Sequence, residues 1–182
     1  MDLITNLDIW LSQKVSLLWG SPLNEIMIFI TNIASPVNLF SFSFILFIIF
    51  ILKKKWYHMT FLTVGMTGGV LLEILIKSLI HRERPINSLI EISGYSFPSG
   101  HATMAIIFFT LLIYAFKDDM KNKVLKILFI FSMTLVFLLV GLSRIYLNVH
   151  WFSDVIAGFA LGMFWLTSLM LIFKFFIMTN KE

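Results

Sequence analysis

Apolar residues in this chain run in blocks rather than in stripes. Residues 36–52, 56–79, 100–116, 124–142 and 154–173 are dominated by Leu, Ile, Phe, Val and Met, with few ionisable positions among them. A helix crosses a bilayer in about 20 residues, with roughly 17 as the lower bound. The blocks are therefore expected to be five transmembrane helices. Residues 1–33 have a different rhythm. Leu3, Leu7, Trp10, Leu11, Lys14 and Leu18 recur at helical spacing, opposite Asp2, Thr5, Asn6, Asp8 and Ser12. That pattern predicts an amphipathic helix in the headgroup region. Gly20-Ser21-Pro22 interrupts it, and Leu23, Ile26, Met27, Ile30 and Ile33 predict a second short helix ending at Ser35-Pro36. The competing readings are one long kinked span over 23–52, or insertion of 1–20, so that six spans are possible.

Composition turns this pattern into a class. The chain is 59% hydrophobic and 13% charged, where soluble domains carry about 25% charged residues. The expectation is an all-α, polytopic membrane bundle of one domain over 1–182, with interfacial helices in 1–33 and a transmembrane core in 36–173. There is no cysteine, which excludes disulfides and thiolate metal sites. The amino terminus has no basic n-region and does not read as a cleaved signal peptide. A nucleic-acid partner is not expected, and nothing in the pattern sets an oligomeric state.

The net charge of +4 becomes informative once placed on the spans. Lys53, Lys54 and Lys55 follow the first span, Lys117, Lys121, Lys123 and Lys126 surround the third connection, and Lys174 and Lys181 follow the last. Basic loops stay cytoplasmic. Residues 80–99 and 143–153 are then expected on the extracytoplasmic side, with the amino terminus.

Those two segments, with the span ends beside them, hold the charges that a membrane chain has to justify, since an ionisable side chain at mid-span costs roughly 2.5–3.5 kcal/mol. Glu73 and Lys77 are four apart on one helical face, as in an i,i+4 ion pair. Lys77 is followed after six residues by Arg84-Pro85, and the proline ends the helix. In Pro98-Ser99-Gly100-His101, Ser99 is a natural N-cap. The helix start offers free N–H groups to an anion, and Gly100 lets one approach the backbone. In SRIYLNVHWFSD, residues 143–154, His150 and Asp154 share a face if the last span begins near Trp151. The carboxylate can then fix the imidazole tautomer. Gly158 and Gly162 continue that face and favour close helix packing. Lys and Arg donors with backbone amides suit a phosphate, while two histidines suit a nucleophile and a general acid. Cations around the histidines disfavour a divalent metal.

These three stretches resemble the signature of the type-2 phosphatidic acid phosphatase superfamily: Lys, six residues, Arg-Pro; then Pro-Ser-Gly-His; then Ser-Arg, five residues, His, three residues, Asp. All eleven fixed positions match, from Lys77 to Asp154. The resemblance implies a lipid phosphatase of the cell membrane, multi-pass, with its site extracytoplasmic and no metal or other cofactor. His150 would be the nucleophile oriented by Asp154, and His101 the general acid. Lys77, Arg84, Ser99, Gly100 and Arg144 would hold the phosphoryl oxygens. The implied partners are the bilayer and a phosphorylated lipid: phosphatidylglycerophosphate, undecaprenyl pyrophosphate, phosphatidate or diacylglycerol pyrophosphate. Phosphotransfer to another lipid and non-catalytic carriage of a lipid phosphate are the alternative functions; soluble haloperoxidases share the pocket type. Two departures stand out: one span fewer than membrane relatives commonly have, and a connection from Pro85 to Pro98 too short for an extra helical domain.

Overall fold

The computed structural model describes residues 2–179, with side chains through Phe175, and every regular element in it is helical. The helices are α1 (Leu3–Ser16), α2 (Ser21–Ile33), α3 (Pro36–Leu52), α4 (Trp56–Ile80), α5 (Gly100–Phe116), α6 (Lys123–Tyr146) and α7 (Phe152–Thr179). Local chemistry sets the boundaries. Ser35, Ser99 and Asn122 accept hydrogen bonds from the first turns of α3, α5 and α6, each satisfying an otherwise orphaned N–H. Pro22 and Pro36 lie in the first turns of α2 and α3, where a missing N–H costs nothing.

α5 is the central post, packed by α3, α4, α6 and α7. Ala102 through Phe108 are buried without interruption, so its surroundings are protein rather than lipid. α7 reaches it across Gly158 and Gly162. A Cβ on Gly158 would lie 2.7 Å from the Ser99 carbonyl oxygen, and one on Gly162 would lie 3.0 Å from that of Thr103. Lipid tails are as apolar as leucine, so close backbone packing of this kind, more than hydrophobicity, holds membrane helices together.

The expected five spans need correction. Three helices, α4, α6 and α7, are long and apolar enough to cross a membrane, and the bent α2–α3 pair raises the number to four at most. The helices stand where the blocks predict them, but α3 and α5 have 17 residues each. At 1.5 Å per residue that is about 26 Å, short of a hydrocarbon core of about 30 Å. The α2–α3 pair is bent by 45° at its break, midway between two separate helices and one kinked span. At the lysine-rich end, Lys55 Nζ pairs with Asp119 Oδ2 at 3.0 Å and the Tyr57 and Tyr114 hydroxyls meet at 3.1 Å. Lys174 lies inside α7 rather than after it, and Lys181 falls outside the described residues.

The amphipathic expectation for α1 also changes. The helix forms, but Leu3, Leu7 and Trp10 point outward while Asp8 is buried. Its polar stripe is turned toward the protein, because a buried carboxylate there has an arginine and a serine to meet. Trp19 then anchors the α1–α2 turn, its Nε1–H donating to the Tyr146 carbonyl at 2.9 Å.

Candidate active site

At the end of the bundle opposite the lysines, α4, α5, α6 and α7 present the ionisable residues to one another. Lys77 is in the last turn of α4, Gly100 and His101 open α5, Arg144 is in the last turn of α6, and Asp154 is in the first turn of α7. Arg84 and His150 come from the connections. Lys77, Arg84, Gly100, His101, Arg144 and His150 all line one open cavity of about 940 Å³. Two of the expected residues do not line it. Ser99 is fully buried with its hydroxyl capping α5, and Asp154 lies behind His150. The Ser99 N–H donates to the Asp154 carbonyl at 3.0 Å, joining the second stretch to the third through the main chain.

Arg84 is fixed by carbonyls. Its Nε donates to Gly94 at 2.9 Å, Nη1 to Val149 at 2.7 Å and Nη2 to Tyr95 at 3.1 Å. Burial pushes its pKa down, against the pull of Asp154 and Glu73. Nη1 also lies 3.2 Å from His150 Nε2. A guanidinium can only donate, so Nε2 is the acceptor and a neutral His150 carries its proton on Nδ1. Nδ1 is 3.5 Å from Asp154 Oδ2, longer than a hydrogen bond and near enough for attraction. Burial is the largest influence on His150 and pushes it down to about 4, with Asp154 opposing and Arg144 and Arg84 reinforcing. The imidazole is therefore a free base at neutral pH.

Arg144 is 1% exposed and donates through Nη1 to Thr31 Oγ1 at 2.6 Å. Among the described residues, neither Arg84 nor Arg144 has a carboxylate within ion-pair distance. Lys77 does, pairing with Glu73 at 2.5 Å, as the i,i+4 spacing predicts. The Glu73 carboxylate also rests over Gly100, where a Cβ would come within 2.8 Å of it. No group of three or more His, Cys, Asp or Glu suited to a metal occurs among the described residues.

Comparison with known proteins shows the family. The profile of the PAP2 superfamily matches residues 59–178. The chain belongs to that superfamily. It is 34% identical over 160 residues to phosphatidylglycerophosphatase B of Bacillus subtilis (strain 168), covering 83% of this chain and 76% of that one. The crystal structure of a transmembrane PAP2-type phosphatidylglycerolphosphate phosphatase from Bacillus subtilis superposes with a TM-score of 0.86 at 28% identity, over 96% of this chain and 88% of the other. Aquifex aeolicus LpxE shares the fold, with a TM-score of 0.71 at 23% identity, over 89% and 93% of the two chains. Membership, the spanning helices and these likenesses make the chain a membrane phosphatase of the PAP2 superfamily.

Sequence reasoning missed part of what surrounds the PAP2 motifs. Arg82 belongs to none of the three sequence stretches' fixed positions, yet it bonds Asp154, Ser153 and Asp8. Thr31 reads as part of an apolar helix, yet it is the hydroxyl that holds Arg144. Neither partner has a spacing signal, since Thr31 and Asp8 are 113 and 74 residues from the arginines they meet.

Proposed function

We propose that this chain is a lipid phosphatase that hydrolyses phosphate monoesters or pyrophosphates of membrane lipids through a phosphohistidine intermediate, without a metal. The observation that carries the reading is the pair of arginines, Arg84 and Arg144, held at one cavity beside a neutral histidine with no carboxylate within ion-pair distance of either among the described residues. Such a cluster is complementary to a tetrahedral oxyanion. The Bacillus relative's name makes phosphatidylglycerophosphate the first candidate; undecaprenyl pyrophosphate, phosphatidate and diacylglycerol pyrophosphate follow.

His150 Nε2 attacks phosphorus while the bond to the lipid oxygen breaks, and His101 gives that oxygen its proton. Water then attacks the phosphohistidine, yields a proton to His101, and the P–N bond breaks to release inorganic phosphate. Asp154 keeps the Nδ1 proton in place and stabilises the positive ring as the bond forms. Lys77, Arg84, Arg144 and the Gly100 amide hold the phosphoryl oxygens, and Ser99 contributes by capping the helix that presents that amide.

The tail has a path. The cavity continues along Val37, Phe40, Phe44 and Ile45 of α3, and a neighbouring hollow of about 290 Å³ between α3 and α4 shares Phe40 and Phe44. An opening of this kind admits a lipid sideways from the bilayer. We place α4, α6 and α7 across the membrane with the bent α2–α3 pair as a broken fourth span, and the short α5 held among them by protein rather than lipid, all as one domain. The lysine-rich connections are cytoplasmic by the positive-inside rule, which leaves the site extracytoplasmic.

The test is phosphate release by purified protein in detergent with EDTA present, using phosphatidylglycerophosphate, undecaprenyl pyrophosphate and phosphatidate beside a His150→Ala control. Release that persists in EDTA and disappears in the variant is expected. Binding without release would sink the reading in favour of a carrier, and release that starts only when an alcohol or lipid acceptor is added would make the chain a transferase.

A further inference from the structure

Arg82 lies between the fixed positions of the first PAP2 motif and belongs to none of them. Its guanidinium nevertheless joins two buried carboxylates. Nη1 donates to Asp154 Oδ1 at 2.6 Å and to Ser153 Oγ at 2.7 Å, and Nη2 donates to Asp8 Oδ2 at 2.7 Å. Asp8 comes from α1, its side chain is 1% exposed, and its Oδ1 accepts the Ser153 N–H at 2.9 Å. The Ser153 hydroxyl donates to Asp8 Oδ2 at 2.5 Å, closing a ring of three side chains, Arg82, Ser153 and Asp8, to which Asp154 is joined through Arg82. The Trp151 ring lies under the guanidinium, 5.6 Å from Cζ, and the Trp151 N–H donates to Asp154 Oδ2 at 2.9 Å.

Arg82 and the Trp151 amide together set how Asp154 meets His150. A carboxylate with one partner can rotate about its χ2 bond; here Oδ1 is held by Arg82 and Oδ2 by the Trp151 amide. Oδ2 is thereby left on the side of His150 Nδ1. Neither Arg82 nor Asp8 lines the cavity, so any effect on the reaction passes through Asp154. We propose that Arg82 and Asp8 are positioning residues of this phosphatase: Arg82 sets the orientation of the Asp154 carboxylate toward His150, and Asp8, carried by the amphipathic helix α1, sets the strength of Arg82's pull. The proposal rests on His150 being the nucleophile.

A structural staple and a positioning network differ in what they do to the histidine's protonation. The charged and titratable groups facing His150 are Asp154 on α7, Arg144 on α6, Arg84 in the connection after α4, Lys77 and Glu73 on α4, and His101 on α5. None of them changes in the variants. Arg82→Gln removes the cation that offsets Asp154, so His150 holds its proton more tightly and the acid limb of kcat/KM moves to higher pH. Asp8→Asn leaves Arg82 to act on Asp154 alone, and the limb moves to lower pH. Second-neighbour charges of this kind are expected to shift the limb by about 0.5 unit, in opposite directions. Loss of an outer partner that orients an acting histidine typically costs about 10–100-fold; that fall is expected in kcat for Arg82→Gln, with KM within about threefold. Arg82→Lys, which keeps the charge but not the fork, is expected to recover part of the rate and to return the limb toward its wild-type position.

The experiment measures kcat, KM and the pH profile of phosphate release for these variants beside wild type and His150→Ala, together with thermal unfolding. Opposed limb shifts with a fall in kcat support the network. Unshifted limbs, limbs shifting together, or kcat within twofold of wild type in both variants overturn it, whatever the change in melting temperature. If Arg82→Gln does not fold, Asp8→Asn carries the limb shift and Arg82→Lys the fall in kcat, and absence of both overturns the network. A His150→Ala variant that still turns over defeats the nucleophile assignment instead, so the two failures are separable.

Discussion

Replacing Gly158 with alanine adds one methyl at the contact between α7 and the start of α5. That methyl would sit 2.7 Å from the Ser99 carbonyl oxygen, 3.1 Å from Ala102 Cβ and 3.1 Å from Thr103 Oγ1. Ordinary contact begins at 3.4 Å, so the first of these needs about 0.7 Å of relief. The nearest atom is main chain and has no rotamer to escape into, and the helices must part. Overpacking of this sort costs about 1–3 kcal/mol of stability. The larger effect is on chemistry, because the same movement separates the Gly100–His101 end of α5 from Asp154 and His150. A misplacement near 1 Å is worth about 100-fold in rate, so kcat for phosphate release is expected to fall about 10- to 100-fold. Gly162→Ala is the comparison. It meets the Ile106 side chain and the Thr103 carbonyl oxygen one turn farther from the reacting groups, so it should lower the melting temperature with a smaller loss of kcat. The assay is release from a short-chain lipid phosphate in detergent, with thermal unfolding measured on the same samples. A Gly158→Ala protein with kcat within twofold of wild type would refute the claim that this contact sets the site's geometry.

Two further outcomes follow from the same geometry. Phe44→Ala removes a ring that lines both the cavity and the hollow beside it. An aromatic side chain contributes roughly 1.5–3 kcal/mol when buried, so KM for a long-chain lipid phosphate should rise about tenfold or more while KM for a short-chain soluble ester stays unchanged; equal effects on both would remove the tail from this path. The buried His150 gives a pH dependence of stability. Its pKa is about 4 in the fold against 6.5 when exposed, so between those values the unfolded chain binds more protons and stability rises with pH. The contribution is complete above pH 6.5 and is lost as pH falls to about 4, on the order of 3 kcal/mol. Thermal unfolding at pH 4.5 and 7 should therefore show a smaller acid penalty in His150→Gln than in wild type, and parallel curves would count against a buried neutral imidazole.

Helix positions, and the ionisable residues that gather at one cavity, were legible because both are written locally. Apolar blocks ended at Lys53 and Lys117, a break stood at Ser35-Pro36 and a cap at Ser99, and the spacing from Lys77 to Pro85 and from Arg144 to Asp154 survived into the fold. Span number was less legible, since a 17-residue helix can stand at a bundle's centre or cross the bilayer and its composition is the same in either place. The facing of α1 was not legible at all. A helical wheel separates Asp8 from Leu7 but does not say whether water or Arg82 waits on the polar side. The same limit hid Thr31, whose guanidinium partner lies 113 residues away.

The bond from the Ser99 N–H to the Asp154 carbonyl oxygen uses only main-chain atoms, so side-chain substitution at either position does not delete it. The two halves of the reactive centre thus keep their register through sequence drift. α3 is under no such tie: its lining residues, from Pro36 to Ile45, include no ionisable group. Under the proposed function, the surface that meets the lipid tail and the residues that break the bond sit on separately mutable parts of the molecule. Rewriting one helix would then change the lipid diet and leave the reactive machinery inherited whole.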